Sequence, residues 1–500
     1  MSSLPRHFAF TLFATAVLAL PQHGHAAGFQ VLHRFTGGSD GEYPESGFAI
    51  DQNGNLYGTT FGELGGGTTT PGKHCPKSCG TTFELVLANR VPSKASINTL
   101  YQFQSSGQLD GEFPTAELLP VSDGQGNTIL YGTTKFGPGT GCGGLGCGTV
   151  FRLPATGGSD TVLFKFCNKP LCADGAIPEA GLVADEAGTL YGVTTSGGTA
   201  DGGRCYNDLG GCGTIFSLTP ASTKPNVLHS FCAEAQDTSC ASGAVPVGKL
   251  LSLNGSLYGT TEFGGAFGEG TIFQISADGS GYKVLYSFCQ QSNCADGAVP
   301  EAGLIADRAG NLYGTSTYGG TVCDGNATGC GVVFKLAPPY TAATYRMLYA
   351  FRGKSPGRPD TTSDGALPQA MLVRHRGVLY GTTLRGGTGP CGLKAGCGTI
   401  FALMRQGGAY VEQVLYRFCP NGVPCTDGDH PEGALVFHHH HLYGMTRTGG
   451  QRSANGNPGC LCGTVFRLRI AKAANPLPVP TQKSELAALK EGRPVRPAQH

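Results

Sequence analysis

The sequence predicts an all-β chain: seven units of four antiparallel strands each, closed into one ring. Three observations carry this. Leu-Tyr-Gly recurs seven times, beginning at Leu56, Leu130, Leu190, Leu257, Leu312, Leu379 and Leu442, with the tyrosines 55 to 74 residues apart. Repeats near this length are stacked units that bury their apolar faces against one another. Each unit holds four short runs rich in β-branched and aromatic residues, punctuated by Gly, Pro, Asn and Asp. The repeat region also opens with a run that matches the fourth of every unit, and it ends on a third. Four antiparallel strands in each of seven units describes a β-propeller.

The fifth unit shows the elements in order. Ala302 to Ala306 is a short apolar strand after Pro300, and Asp307 to Asn311 is a turn. Leu312 to Thr317 is the second strand, closed by Gly319-Gly320. A cysteine loop leads to the third strand, Gly331 to Leu336, and a Pro-rich turn leads to the fourth, Arg346 to Phe351. No stretch of the unit has the apolar spacing and length of a helix. Val31 to Phe35 matches the fourth strands of the other units, and Gly463 to Phe466 is a third strand with no fourth after it. The N-terminal strand is therefore expected to complete the unit that contains Tyr443. This closes the ring and covers an open sheet edge. A solenoid would need polar capping units at its ends, and the first and last units here look like the interior ones.

This order sorts the loops onto two faces. Connections from second to third strand, and from fourth strand to the next unit, emerge together. They carry the Asp-Gly-x-x-Pro motif at Asp40, Asp110, Asp174, Asp296, Asp364 and Asp427, with Ser242 in place of the acid once. They also carry all 20 cysteines, as ten local pairs. Four pairs follow a Phe-Cys: Cys167/Cys172, Cys232/Cys240, Cys289/Cys294 and Cys419/Cys425. Six precede a Gly-Thr-Val-Phe-like strand: Cys75/Cys79, Cys142/Cys147, Cys205/Cys212, Cys323/Cys330, Cys391/Cys397 and Cys460/Cys462. Equivalent loops hold two cysteines or none, which is the signature of disulfides in an oxidising compartment. Zinc needs four convergent ligands, and the pairs sit on separate repeats without accompanying histidines, so no metal is expected. The opposite face carries tight turns such as Asn53-Gly54 and Asn254-Gly255.

Compartment follows from the start of the chain. Arg6 and His7 precede an apolar run from Phe8 to Leu20, Pro21 breaks it, and Gly24-His25-Ala26 offers a cleavage site. Residues 1–26 read as a secretory signal peptide, because 13 apolar residues are too few to span a bilayer comfortably. The repeat domain then covers residues 29–470, and residues 471–500 read as a disordered tail. Formal net charge is +1 and charged residues are 14%. No basic stripe marks a nucleic-acid partner. The expected product is a secreted or periplasmic monomer with no membrane span after cleavage and no cofactor.

Asp-Gly-Ala-x-Pro, Ala-Gly-Leu-Ile, Asn-Leu-Tyr-Gly-Thr-Thr, Gly-Gly and Gly-Thr-Val-Phe-Lys-Leu together resemble the Gloeo–Verruco (GloVer) tandem repeat of exported bacterial proteins, over about residues 29–470. The resemblance implies extracytoplasmic placement, commonly with a C-terminal sorting segment. Residues 471–500 depart from that, with neither an apolar tail nor a sorting motif. It implies no catalytic residue. The double glycine is similar to that of kelch propellers, which supports the fold by analogy.

A residue type repeated in every unit reads as structural. The Asp of Asp-Gly is expected to bind backbone amides two residues on. The Leu-Tyr-Gly tyrosine is expected to pack in the core, with its hydroxyl on a neighbouring unit. Functional residues should instead vary between units, as do two positions just past each second strand. Among their bulky or charged members are Phe136, Glu262, Phe263, Tyr318, Arg385 and Arg447, and these six are the candidate ligand-binding residues. His438 to His441 occupy one hairpin, where alternate side chains diverge. No His-Glu-x-x-His or phosphate loop occurs. Two functions fit. One is a non-catalytic module that binds carbohydrate or a surface protein. The other is a glycan-active hydrolase or lyase, which needs two carboxylates at a set separation.

Overall fold

Leu-Tyr-Gly and Gly-Thr-Val-Phe become partner strands, and their register explains both motifs. In a computed structural model, residues 28–62, 75, 79–87, 95–104, 110–139, 141–199, 205, 211–222, 224–233, 240–322, 328–353, 364–387, 389, 391, 396–422, 424–450 and 461–470 are described. The expected signal peptide and C-terminal tail lie outside them, as do Cys323 and Cys460. The glycine of each Leu-Tyr-Gly pairs with the phenylalanine of the third strand, as in Gly58 with Phe83, Gly314 with Phe334 and Gly444 with Phe466. The ring lies over the glycine: a Cβ on Gly314 would stand 2.6 Å from Phe334. All seven of these phenylalanines are fully buried.

Seven antiparallel sheets of four strands result. In the fifth blade the strands are Ile305–Ala306, Leu312–Ser316, Val332–Leu336 and Tyr345–Ala350. The seventh blade consists of Val436–His438, His441–Thr446, Thr464–Arg469 and, as its fourth strand, Phe29–Arg34. The N-terminal strand pairs antiparallel with Thr464–Arg469, from Phe29 opposite Leu468 to Arg34 opposite Thr464. The ring is thus closed by the two ends of the repeat region.

The core is distributed between blades. At every junction a fourth-strand phenylalanine meets the third-strand phenylalanine of the next blade edge to face. The pairs are Phe35–Phe83, Phe103–Phe151, Phe166–Phe216, Phe231–Phe273, Phe288–Phe334, Phe351–Phe401 and Phe418–Phe466, with centroids 5.1 to 5.5 Å apart. This is a favoured aromatic geometry, and it recurs because the repeat does.

Two sequence expectations are corrected, the second of them in part. The Asp of Asp-Gly reaches back rather than forward. Asp296 accepts from the Gln290 and Gln291 amides (3.1 and 3.0 Å) and from the Tyr286 hydroxyl (2.6 Å). Asp364 likewise accepts from the Arg352 amide (3.1 Å) and Tyr349 (2.6 Å). The carboxylate therefore ties the fourth strand to the start of the next blade. Three of the Leu-Tyr-Gly hydroxyls bond within their own blade: Tyr57 donates to Asp51, Tyr191 to Asp185 and Tyr313 to Asp307, at 2.9 to 3.1 Å, while the expected contact with a neighbouring blade is made by Tyr258 with Tyr340 and by Tyr313 with Tyr410. The first hairpin is so tight that its aspartate, six residues upstream, lies nearer than the next blade.

The all-β reading holds, and the cysteine loops add only short 3-10 turns. Cys294 ends one of them, Ser292–Cys294, in the crossing from the fourth blade to the fifth. Cys172 ends the equivalent turn Pro170–Cys172, and Cys142 begins the turn Cys142–Gly144. The reason is the short link to the partner cysteine. The chain must double back within five residues to bring the Cys294 Cα to 4.0 Å from that of Cys289. It does so with the bonds Cys294 N to Gln291 O (2.9 Å) and Ala295 N to Ser292 O (3.3 Å). One such turn is too short to leave an apolar period in the sequence.

The glycine of Asp-Gly is required sterically. Gly365 has φ of 124°, and a Cβ there would stand 2.6 Å from Thr383 Oγ1 and 2.8 Å from Thr399 Oγ1, a buried hydroxyl pair. Gly365→Ala is expected to cost about 3 kcal/mol through strain and overpacking. Gly377→Ala also has positive φ but meets nothing within 4 Å, and is expected to cost only about 1 kcal/mol. Urea unfolding of the two variants measures the difference, and equal costs would contradict the packing argument.

Candidate functional site at the mouth of the axial channel

The first strands line the axis of the ring. Ala49, Leu119, Ile305, Val373 and Val436, with Glu117, Lys249 and Met371, surround a cavity of about 510 Å³. Lys249 Nζ and Glu117 Oε1 pair at 3.0 Å within it, from the fourth and second blades.

A repeated hydrogen bond fixes the rim on the loop-rich face. The first threonine of the Tyr-Gly-Thr segment bonds a carbonyl two residues past the proline of the next blade. Thr59 bonds Ala116 O, Thr133 bonds Ala180 O, Thr260 bonds Ala302 O and Thr315 bonds Ala370 O, at 2.8 to 3.3 Å. The end of each second strand is thereby laid against the residue that follows the proline in the next blade. That residue is glutamate in four blades: Glu45, Glu179, Glu301 and Glu432.

At two junctions the chain supplies a cation to this glutamate. Arg447 of the seventh blade pairs with Glu45 of the first (2.9 Å) and with Glu432 of its own (3.3 Å). Lys135 of the second blade pairs with Glu179 of the third. At the junction of the fourth and fifth blades the equivalent position holds an acid, Glu262, facing Glu301. Glu301 accepts hydrogen bonds from Thr317 (2.9 Å) and Gln369. Among the described residues neither Glu262 nor Glu301 makes an ion pair.

Glu45, Glu262, Glu301 and Glu432 are held toward their neutral forms. Burial, then the charges of Glu301 and Glu179, push Glu262 up to about 7. Burial pushes Glu45 up to about 7, with Arg447 opposing. Glu301 and Glu432 are also raised, chiefly by burial. A carboxyl that titrates near neutrality in a cleft donates or accepts hydrogen bonds according to its ligand.

Of the residues proposed from sequence, Glu262 and Arg447 belong to this rim. The other four occupy the second variable position and bridge to the residue after Asp-Gly: Phe136 to Glu112, Phe263 to Ala244, Tyr318 to Ala298 and Arg385 to Ala366. Phe136, Phe263 and Tyr318 are half-buried against the inter-blade cores, and Arg385 is exposed. Sequence reasoning missed Glu45, Lys135, Glu179, Glu301 and Glu432. The four Pro-Glu dipeptides were a legible signal, but their regularity hid them among the structural motifs.

The cysteine reading is sharpened. Eight disulfides join expected local pairs: Cys75–Cys79, Cys142–Cys147, Cys167–Cys172, Cys205–Cys212, Cys232–Cys240, Cys289–Cys294, Cys391–Cys397 and Cys419–Cys425. Cys330 and Cys462 are also disulfide-bonded. Pairs from separate loops nevertheless converge at some junctions, contrary to the premise that set metal ligation aside. Cys391, Cys397, Cys419 and Cys425 form one group, and Cys147 meets Cys167 and Cys172 in another. Among the described residues Cys289 and Cys294 converge on no other cysteine, because the neighbouring loop of the fourth blade, Glu262 to Gly270, holds none. Both are half-buried, unlike the fully enclosed group. Among the described residues no helix is long and apolar enough to cross a membrane.

Among solved structures the chain is similar to an oligogalacturonate lyase in complex with manganese, at 10% identity over 90% of this chain and 96% of that one, with a TM-score of 0.46. It is similar to the GH74 enzyme of Niastella koreensis at 12% identity, over 77% and 47% of the two chains, with a TM-score of 0.40. It is also similar to a luciferin-regenerating enzyme at 12% identity, over 86% and 92%, with a TM-score of 0.38. At these values none bears on ligand or chemistry. No curated protein matches the chain. Residues 21–238 match the Gloeobacter/Verrucomicrobia repeat, and the same motifs continue through the remaining blades. Over residues 21–238 the chain carries the repeat of that family.

Proposed function

We propose that this is a secreted or periplasmic binding module for carbohydrate or a surface protein, and that it holds a cationic group of its ligand at the channel mouth between Glu262 and Glu301. One observation carries the reading. Where Arg447 and Lys135 fill the rim position at other junctions, this junction has a second carboxylate and, among the described residues, no cation paired with it. An ammonium or guanidinium from outside completes the pattern that the chain completes internally elsewhere, with charge-assisted hydrogen bonds to partly desolvated acids. Amino sugars and basic side chains offer that group. Phe136, Phe263, Tyr318 and Arg385 supply flanking contacts on the same face.

Glu262→Lys supplies the missing cation internally. It is expected to abolish binding of glucosamine oligomers or of a lysine-rich peptide, while raising the thermal midpoint. Glu262→Gln is expected to weaken binding at least tenfold. Calorimetry with those two probes, with N-acetylated oligomers and with uronic acid oligomers decides which class binds. Undiminished binding by Glu262→Lys would sink the reading. A second reading rests on the same carboxylates. Two acids with raised affinity for protons are also what glycoside cleavage uses. Release of reducing sugars or unsaturated products by the wild type, lost in Glu301→Gln, would favour it over binding alone.

A further inference from the structure

Two disulfides that the chain separates meet at the junction of the sixth and seventh blades. Cys391–Cys397 closes the loop before the third strand of the sixth blade, and Cys419–Cys425 lies on the crossing to the seventh. The four sulfurs lie within 4.8 Å of one another and all four residues are buried. Cys391 Sγ stands 3.7 Å from Cys425 Sγ, across the two disulfides. The comparable junctions bring only three sulfurs together: Cys147, Cys167 and Cys172 at one, Cys212, Cys232 and Cys240 at the other.

We propose that this cluster is a latent four-thiolate site, which on reduction takes one thiophilic divalent cation of the zinc class. Tetrahedral zinc with bonds of about 2.3 Å places its sulfurs roughly 3.8 Å apart. The four sulfurs therefore need only small movements once the S–S bonds open. The backbone that carries them is held independently of those bonds. His430 N donates to Cys397 O (3.1 Å), Gly428 N and Gly450 N donate to Cys425 O (3.2 and 2.8 Å), and Phe418 N donates to Gly398 O (3.1 Å). The Cys391 amide already donates to Cys397 Sγ at 3.2 Å, a bond that stabilises a thiolate. The balance is simple. Two equivalents of a phosphine reductant cleave the two disulfides, each phosphine taking an oxygen from water, and four thiols result. The cation then binds four thiolates and releases four protons. The metal replaces two links within loops by one link across the junction.

The full chain is reduced with a water-soluble phosphine without oxygen, exposed to Zn(II) or Cd(II), and desalted. Metal per chain is counted by mass spectrometry, Cd–thiolate binding by ultraviolet absorption, and the fold by near-ultraviolet circular dichroism. One tightly held ion per chain is expected. The Cys391→Ser/Cys425→Ser variant loses it, and the Cys142→Ser/Cys167→Ser variant keeps it. A wild type that retains no metal, equal retention by both variants, or a reduced chain that has lost its fold each overturns the proposal.

Discussion

Removing residues 29–36 is expected to abolish cooperative folding of the whole ring. The deletion exposes the Thr464–Arg469 edge, whose partner it takes away. It also removes Phe35, which is 3% exposed and forms the edge-to-face contact with Phe83 that joins the seventh blade to the first. Phe29 goes with it, and its ring stacks on Tyr416 of the sixth blade at 3.6 Å. Buried phenylalanines are worth about 3 to 5 kcal/mol each when truncated, and a domain is typically stable by only about 5 to 15 kcal/mol. The truncated chain should be insoluble or lack a sigmoidal melt. A permuted chain that carries residues 28–36 after residue 470 should recover the wild-type melt, because the strand is needed and its position in the sequence is not. A truncated chain that melts as the wild type does would refute closure by this strand.

Stability is expected to be highest near pH 4 to 5 and to fall toward pH 8.5. Burial pushes Glu45, Glu112 and Glu262 up to about 7 and Glu412 up to about 8 in the folded protein. In the unfolded chain they titrate near about 4.3. Across the interval between, the folded state binds more protons, so stability falls as pH rises. Two effects set the acid limit. Burial lowers His229 to about 4, so its stabilisation is lost as pH falls below its unfolded value. Asp51 and Asp307 are held below the ordinary carboxylate range by hydrogen bonds within their turns, against the opposing effect of burial, and they lose that stabilisation below about pH 4. Glu112 isolates the alkaline limb. It is 6% exposed, and its Oε2 has no hydrogen-bond partner among the described residues. Its ionisation costs of order 3 kcal/mol at alkaline pH. Glu112→Gln should raise the midpoint by about 3 °C at pH 8.5 and leave it nearly unchanged at pH 5. Thermal melts from pH 4 to 9 at constant ionic strength test this. A midpoint that is flat or rising between pH 5.5 and 8.5, or a Glu112→Gln slope equal to that of the wild type, would contradict it.

The blades, their number, the closing strand and the local disulfides are legible in the residues alone. Each of these rests on short-range information. Alternation and turn residues define a strand within a few positions, repetition multiplies that signal sevenfold, and a cysteine pair a few residues apart needs no knowledge of the ring. The tertiary structure decided what meets across junctions. Glu301 faces Glu262, and Arg447 reaches Glu45 from the other end of the chain. Lys249 finds Glu117, and Cys391 lies against Cys425 while Cys294 pairs with Cys289. These pairings depend on where one blade's second strand ends relative to the next blade's proline, or on which loops share a junction. The same limit explains the misread hydroxyls and aspartates, since several acceptors are compatible with one motif and only the packed hairpin selects the nearest. Repetition made the scaffold legible. It also disguised the site, because the rim glutamates follow the period of the fold, and only the position of Glu262 at a closed rim marks one junction as different from the rest.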